Sequence, residues 1–415
     1  MKKSAFSFLA SALVMLATSL LAQPAAVSAA EPTVSQALAQ ATKKLDAEHP
    51  TLPIGSAMPD YALMGTDDKI HTPAEFADKK LLVVMFLTNH CPVSQLYEGR
   101  AKKLYHEFAN KGVGFVAIQP DDVRGTLLRE YHHSDLDDTL AGMKIAVTHR
   151  QFPFPYLDDG ETQVAVNKFG PKATPHFFIF DQERKLRFEG RVDDNMEEAK
   201  AKTHEVRDAI EALLAGKPVP VAHTAVFGCS IKWTGKSEVV AKDNKLWEAR
   251  PVTLESVTLE GLTKLRTNPT DKYVMINFWA TWCAPCRIEY PDLLDVHRWY
   301  NDRDFDFVSI SADSPANREQ VLKFLKETHS GIRNLQVDTT DVYAMQKAFD
   351  PTWESALPFT VVLAPGGKVI YRKEGEVDIL ELRRALLRNL PGYTFLPNLE
   401  YWGNSMKNVR QRTKQ

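Results

Sequence analysis

Two cysteines, Cys283 and Cys286, stand between an apolar run and a helix-like stretch in VMINFWATWCAPCRIEYP, residues 274–291. A strand ending there and a helix starting there put the first sulfur at a helix N-terminus. Free N–H groups and the positive end of the helix dipole then favour its thiolate. Thiolate is the form that attacks disulfides, so the pattern predicts thiol–disulfide exchange. Pro285 suits the first helical turn, where an N–H has no intrahelical partner to lose. A structural disulfide or half of a zinc site are the other readings, and zinc would ask for a second Cys/His pair that the downstream sequence lacks. Cys91 and Cys229 complete a set of four, too few for a disulfide scaffold in 415 residues, so all four are read as reactive positions.

The WATWCAPC core and its continuation through Arg287, Glu289 and Pro291 resemble the thioredoxin superfamily, in particular the membrane-linked reductases of the TlpA/ResA type, over about residues 257–390. The resemblance implies that Cys283 attacks, Cys286 resolves the mixed disulfide, and a cis-proline faces them. That proline is Pro358, just before the apolar run at residues 359–363. Many thioredoxins bury an acid under the pair where this chain has Asn277. Glu289, three residues after Cys286, matches the acid of the TlpA/ResA pattern and is the candidate acid–base, with an ordinary exposed helix glutamate as the alternative.

The elements that must hold such a site occur twice. An apolar run at residues 80–87 leads to Cys91 as residues 273–280 lead to Cys283, and a helical stretch follows each. In the first half that stretch is residues 94–110, with Leu96, Ala101, Leu104 and Phe108 on one face. Second strands follow at 113–119 and 305–311. Then Pro175 precedes the run 177–180 as Pro358 precedes 359–363. Polar turns at 181–185 and 364–368 return into further strands, and helices at about 197–214 and 379–390 close each half. The expected fold class is α/β, two tandem thioredoxin-like domains, each a central mixed sheet flanked by helices. The division reads as a signal peptide at 1–30, a first domain at 50–222, a linker carrying Cys229 at 223–256, a second domain at 257–392 and a tail at 393–415. Residues 133–159 read as an insertion whose aromatic run, Phe152-Pro-Phe154-Pro-Tyr156, either walls a substrate groove or packs at the surface.

The first domain is not a copy of the second. Its site reads Thr88-Asn89-His90-Cys91-Pro92-Val93-Ser94, with Ser94 where a second cysteine would stand. Over about residues 54–232 it resembles the redoxin/peroxiredoxin-like branch of the superfamily, where the matching threonine, Thr88, helps orient peroxide. The proline that those enzymes place four residues earlier is replaced by Val84. A neighbouring arginine would lower the thiol pKa, with Arg100, Arg150 and Arg191 as candidates. His90 either acts as a base or points away, and His176, beside Pro175, is expected to face the site. Cys229 is read as the resolving thiol for Cys91 or its structural disulfide partner, or else as an unpaired or intermolecular cysteine.

Lys2 and Lys3, an apolar stretch from 5 to 21 and the small-residue end Ser28-Ala29-Ala30 read as a secretory signal, an uncleaved anchor being the alternative. The expected location is the periplasm, with the mature chain soluble. A net charge of −2 with interspersed signs gives no pointer to nucleic acid, and the basic tail at 407–414 reads as a solvated terminus. No cofactor or resident metal is expected. The function read from the residues is a thiol–disulfide oxidoreductase using the Cys283/Cys286 dithiol, relaying electrons to a one-cysteine site at Cys91, and the TlpA/ResA resemblance implies that it works as a disulfide reductase. The TlpA/ResA resemblance implies disulfide-bearing client proteins, with cytochrome c maturation among the pathways served, and a membrane thiol carrier of the DsbD/CcdA type as donor. The alternative enzyme is a thiol peroxidase, with Cys91 oxidised to sulfenic acid, Cys229 resolving and the second domain as its reductant. A third reading makes the first domain a docking module for clients or for copper at Cys91 with His90 or His176.

Overall fold

The computed structural model describes residues 33–354 and 356–391; the expected signal peptide and C-terminal tail lie outside them. In the first half the strands are β1 (Leu63–Gly65), β2 (Ile70–His71), β3 (Leu81–Phe86), β4 (Val113–Gln119), β5 (Tyr156–Asp158), β6 (His176–Phe180) and β7 (Leu186–Gly190). They form one sheet in the order β2-β1-β5-β4-β3-β6-β7. In the second half β8 (Glu255–Val257), β9 (Tyr273–Trp279), β10 (Phe305–Ser311), β11 (Arg333–Val337), β12 (Phe359–Leu363) and β13 (Val369–Glu374) order as β13-β12-β9-β10-β11-β8. Both sheets are mixed: β3 runs parallel to β4 and antiparallel to β6, as β9 does to β10 and β12. Helices of the first half are α1 (Val34–Glu48), α2 (Pro92–Phe108), α3 (Leu140–Arg150), α4 (Val166–Phe169) and α5 (Glu205–Leu214). After them come α6 (Ser237–Glu248), α7 (Leu259–Arg266), α8 (Ala284–Tyr300), α9 (Arg318–Glu327), α10 (Val342–Phe349) and α11 (Ile379–Asn389).

Continuous apolar runs mark strands covered on both faces. Leu81, Val83 and Met85 of β3 pack with Tyr97, Leu104 and Phe108 of α2, whereas Leu82, Val84 and Phe86 pack with Phe169, Ile231 and Trp233. In the second half Met275 of β9 meets Leu293 and Val296 of α8, and Val274, Ile276 and Phe278 meet Leu262 of α7 and Phe349 of α10. Each central strand therefore carries its cysteine-bearing loop on a rigid, two-sided core.

Three expectations change, and one helix is added. The closing helix of the first half is α only from Glu205 to Leu214, because Asp194 takes the Lys202 and Thr203 N–H groups at 2.8 and 3.3 Å and holds the chain in a turn. Phe154 and Tyr156 belong to the core rather than to a groove, Tyr156 lying in β5. The Cys229 segment is no free linker, since Ile231 and Trp233 fill the first core. Helix α1, not anticipated, clamps that segment: Trp233 Nε1 donates to Asp46 at 2.8 Å and stacks on His49.

The halves meet through the first half's segment 128–135 and the C-terminal end of α8. Tyr131 joins the second core, Trp299 Nε1 and Tyr300 Oη donate to the carbonyls of Tyr131 and Ser134, and buried Arg384 of α11 donates to Asp135 at 2.8 Å. Removing one member of a buried ion pair strands the other charge. Asp135→Ala is therefore expected to cost about 3–5 kcal/mol in urea unfolding, and an unchanged midpoint would mean that this contact is not buried in solution.

Candidate functional site: two thiol centres

Cys283 is the N-cap of α8, and its Sγ accepts from the Cys286 N–H at 3.3 Å. The two cysteines form a disulfide with their Cα atoms 5.3 Å apart. Cys283 retains 6% exposure and Cys286 1%, so the first cysteine is the better placed to meet another molecule. Leu357, whose bond to Pro358 is cis, packs on the cluster that contains both sulfurs. Trp282 and Ile288, on either side of the pair, are 68% and 72% exposed.

Glu289 follows Cys286 by about one turn of α8 and is buried rather than exposed. It accepts from the Val377 N–H at 2.9 Å and from the Asn277 amide at 3.2 Å. Burial raises its pKa to about 7 against those two hydrogen bonds. Asn277, which stands where many relatives of this fold bury an acid, thus orients the acid that Glu289 supplies. Its other amide donor contact goes to Thr360 at 2.9 Å, and its own Oδ1 is buried without a partner.

In the first half Cys91 is likewise the N-cap of a helix, α2, and its Sγ accepts from the Ser94 N–H at 3.4 Å. As a thiol it donates to the Thr174 carbonyl at 3.2 Å, just ahead of cis-Pro175. Cys229 arrives from the far side. Its backbone pairs with Thr174 in both directions, at 3.0 and 3.3 Å, and so meets the same Thr174 carbonyl that the Cys91 thiol reaches. Gly228 makes this approach possible, since a Cβ there would lie 2.0 Å from the Thr174 carbonyl oxygen. Both thiols are free. Burial opposes the Cys91 thiolate, but the Cys229 thiol, the positive His90 and the Ser94 N–H outweigh it and hold its pKa below the ordinary thiol range. The same contact and burial push Cys229 up, so it stays a thiol.

The remaining sequence candidates separate here. Thr88 Oγ1 shares a hydrogen bond with Thr174 Oγ1 at 3.2 Å, and the Thr88 N–H donates to Ser94 Oγ at 3.1 Å. His176 is turned to Glu189 at 2.7 Å, because its place on β6 opposite Phe86 aims it away from the sulfur. The three arginines serve other acids: Arg100 holds Asp193, Arg150 holds Glu98 and Arg191 holds Glu205. The positive group near Cys91 is His90 instead. Its Nδ1 donates to Asp138, and although burial alone would lower its pKa, Asp138 and Asp121 raise it to about 9. Neither acid stands out in the sequence, since both lie in loops with no spacing signal toward Cys91.

His90, Asp121 and Asp138 bring three ligand-type atoms within 4.8 Å of one another. Their lone pairs are largely engaged: Asp138 accepts from His90 and from the Asn89 N–H at 2.6 Å, and Asp121 from the Lys232 N–H at 2.7 Å. The Lys232 ammonium, paired with Glu130 at 2.5 Å, adds positive charge beside them. The cluster is an ion-paired hydrogen-bond network.

Two helices that each begin on a cysteine facing a cis-proline, set on paired mixed sheets, define tandem thioredoxin-fold domains. Residues 54–189 match the AhpC/TSA family and residues 248–386 match the Redoxin family. The chain belongs to the thioredoxin superfamily, with one domain of each kind. It is 29% identical over 148 residues to thiol-disulfide oxidoreductase ResA of Bacillus subtilis, covering 35% of this chain and 77% of that protein. With ResA of Oceanobacillus iheyensis it shares 45% identity over 42 residues, 10% of this chain and 22% of that one. Among solved structures, a hypothetical protein from Sinorhizobium meliloti 1021 is 32% identical, covering 45% of this chain and 97% of its own, with a TM-score of 0.40.

Proposed function

We propose that the protein is a periplasmic thiol–disulfide oxidoreductase whose second domain, taken as residues 257–392, reduces disulfides in client proteins. One observation carries this reading: a cysteine capping a helix N-terminus, disulfide-bonded to a more deeply buried one, with a buried carboxyl of pKa about 7 one helical turn further on. In the reduced state the Cys283 thiolate attacks a client disulfide, and one client sulfur leaves as a thiol. Cys286, deprotonated by Glu289, then attacks Cys283 and frees the second client thiol. Trp282 and Ile288 offer an apolar surface for an extended client segment. The names of the ResA relatives support the same chemistry, and a membrane thiol carrier of the DsbD/CcdA type is the proposed electron source.

In the first domain, taken as residues 50–222 with the Cys229 segment folded onto it, Cys91 and Cys229 form the second redox pair. Cys91 is wholly buried, which favours a small oxidant over a protein disulfide and supports the peroxidase alternative, with His90 in the place of an arginine. The contact between the halves lies about 24 Å along α8 from Cys283, so a relay from one pair to the other requires the halves to part or a second molecule to serve as bridge. Differential alkylation in graded glutathione buffers tests the assignment. Cys283 with Cys286, and Cys91 with Cys229, are expected to titrate as two separate two-electron couples. A Cys283/Cys286 pair that never reopens across the range would remove the reductase reading.

A further inference from the structure

Among the described residues no hydrogen bond satisfies two buried titratable atoms of the first centre, Nε2 of His90 and Oδ2 of Asp121, the latter lying 3.9 Å from Nδ1 of His90. Both side chains are at least 98% buried, and unsatisfied groups at such depth are costly unless they are used. One is a potential donor and the other an acceptor. His90 follows Asn89 in the loop that carries Cys91, and Asp138 on its Nδ1 fixes the proton there, leaving Nε2–H directed elsewhere. Asp121 is tied to the opposite segment: the Lys232 N–H, three residues beyond Cys229, donates to its Oδ1 at 2.7 Å. Each sulfur thus has its own titratable neighbour, held by the same backbone that holds the sulfur.

We infer that His90 is the proton donor to the group displaced by Cys91 and that Asp121 is the base that takes the proton of Cys229, with Asp138 positioning the imidazole. This rests on the reading above that Cys91 and Cys229 are a redox pair. For a disulfide substrate RSSR, the Cys91 thiolate forms the Cys91–SR bond as the S–S bond breaks, and Nε2–H of His90 protonates the departing RS⁻. Cys229 then loses its proton to Asp121 and attacks Cys91. The second RS⁻ leaves and takes up that proton. The sum is one thiolate, one thiol and one imidazolium plus RSSR, giving the Cys91–Cys229 disulfide, two RSH and neutral His90. The substrate is reduced by two electrons and the cysteine pair oxidised by two.

The surroundings match these roles. Cys229 sits too high to ionise unaided, so closure needs a base at hand. Burial raises the Asp121 carboxyl, which makes it a better base than an exposed aspartate, while His90 and Lys232 beside it keep the carboxylate form accessible. The groups facing His90 are Asp138, Asp121, Glu130, Cys91, Lys232 and His133, with the Tyr131 ring centroid 5.3 Å from that of the imidazole. Those facing Cys229 are Cys91, Lys232 and Asp121.

The test compares two small disulfides on the full chain with Cys283 and Cys286 replaced by serine. Hydroxyethyl disulfide expels a basic thiolate that needs a proton, and 4,4′-dipyridyl disulfide expels one that does not. His90→Gln is expected to slow both by lowering the thiolate fraction, but to lower the ratio of the first rate to the second by about tenfold or more. Asp138→Asn is expected to move the ratio in the same direction. Asp121→Asn is expected to slow Cys91–Cys229 closure about a hundredfold at pH 7, well beyond any change in the first attack, the closure rate then rising with hydroxide concentration. A ratio unmoved by His90→Gln, or closure in Asp121→Asn with the rate and pH profile of the parent, overturns the inference while leaving the redox pair standing. Failure of the parent to form the Cys91–Cys229 disulfide overturns the redox pair itself.

Discussion

Cys283→Ser is expected to lower disulfide reductase activity by at least about a thousandfold, whereas Cys286→Ser accumulates covalent adducts with client proteins. The asymmetry follows from burial and capping. Cys283 is the more exposed of the two residues, and its sulfur receives an N–H at the start of α8. Without it no thiolate meets the client. Without Cys286 the attack still occurs, but nothing can displace the client from Cys283, and the mixed disulfide persists until an external thiol removes it. Non-reducing gels of the two variants with a disulfide-bearing substrate distinguish the roles. Adducts on Cys283→Ser and none on Cys286→Ser would reverse them. Trp282→Ala is a useful companion, because loss of apolar docking surface should raise KM and leave the trapping order unchanged.

The sequence made the second domain legible because its chemistry is local. The cysteine pair, Pro285 and Glu289 fall within one helical turn or two, and the apolar runs before Cys283 and after Pro358 announce buried strands that become adjacent, with Thr360 opposite Asn277. The first domain hid its site because its parts are brought together by tertiary structure. Cys229 is 138 positions from Cys91 and reaches it only because Gly228 tolerates the Thr174 carbonyl and because Trp233 anchors the segment under α1. Asp121 and Asp138 read as ordinary loop acids until the fold encloses them around His90. The arginine expected near Cys91 failed for a related reason: each candidate had an acid to satisfy first, and pairing inside a core overrides proximity in sequence. Helix α1 was missed because its apolar face is weak, with no residue fully buried.

Glu289→Gln is expected to lower reductase kcat/KM at pH 7 by about a hundredfold and to erase the inflection that the parent shows near that pH. A group that must accept the Cys286 proton in one step and return a proton to a departing thiol in another works best when its pKa lies near the working pH, and burial brings Glu289 to about 7. Asn277 fits both charge states. Its amide N–H₂ donates to the carboxylate, and its unpartnered Oδ1 can accept from the protonated acid after the amide turns. Glutamine keeps the Val377 and Asn277 contacts in shape while abolishing proton transfer, so initial attack by Cys283 should survive and resolution by Cys286 should fail. The same shift governs stability. The folded protein holds a proton on Glu289 between its ordinary pKa of 4.5 and about 7, where the unfolded chain has released it. Stability from this group is therefore fully present below 4.5, declines as pH rises through that window and is level above about 7. Glu289→Gln should flatten that decline in unfolding titrations while it slows turnover. A variant with the parent's pH–rate profile would remove Glu289 from the reaction, and one with the parent's pH–stability slope would place the titrating group elsewhere.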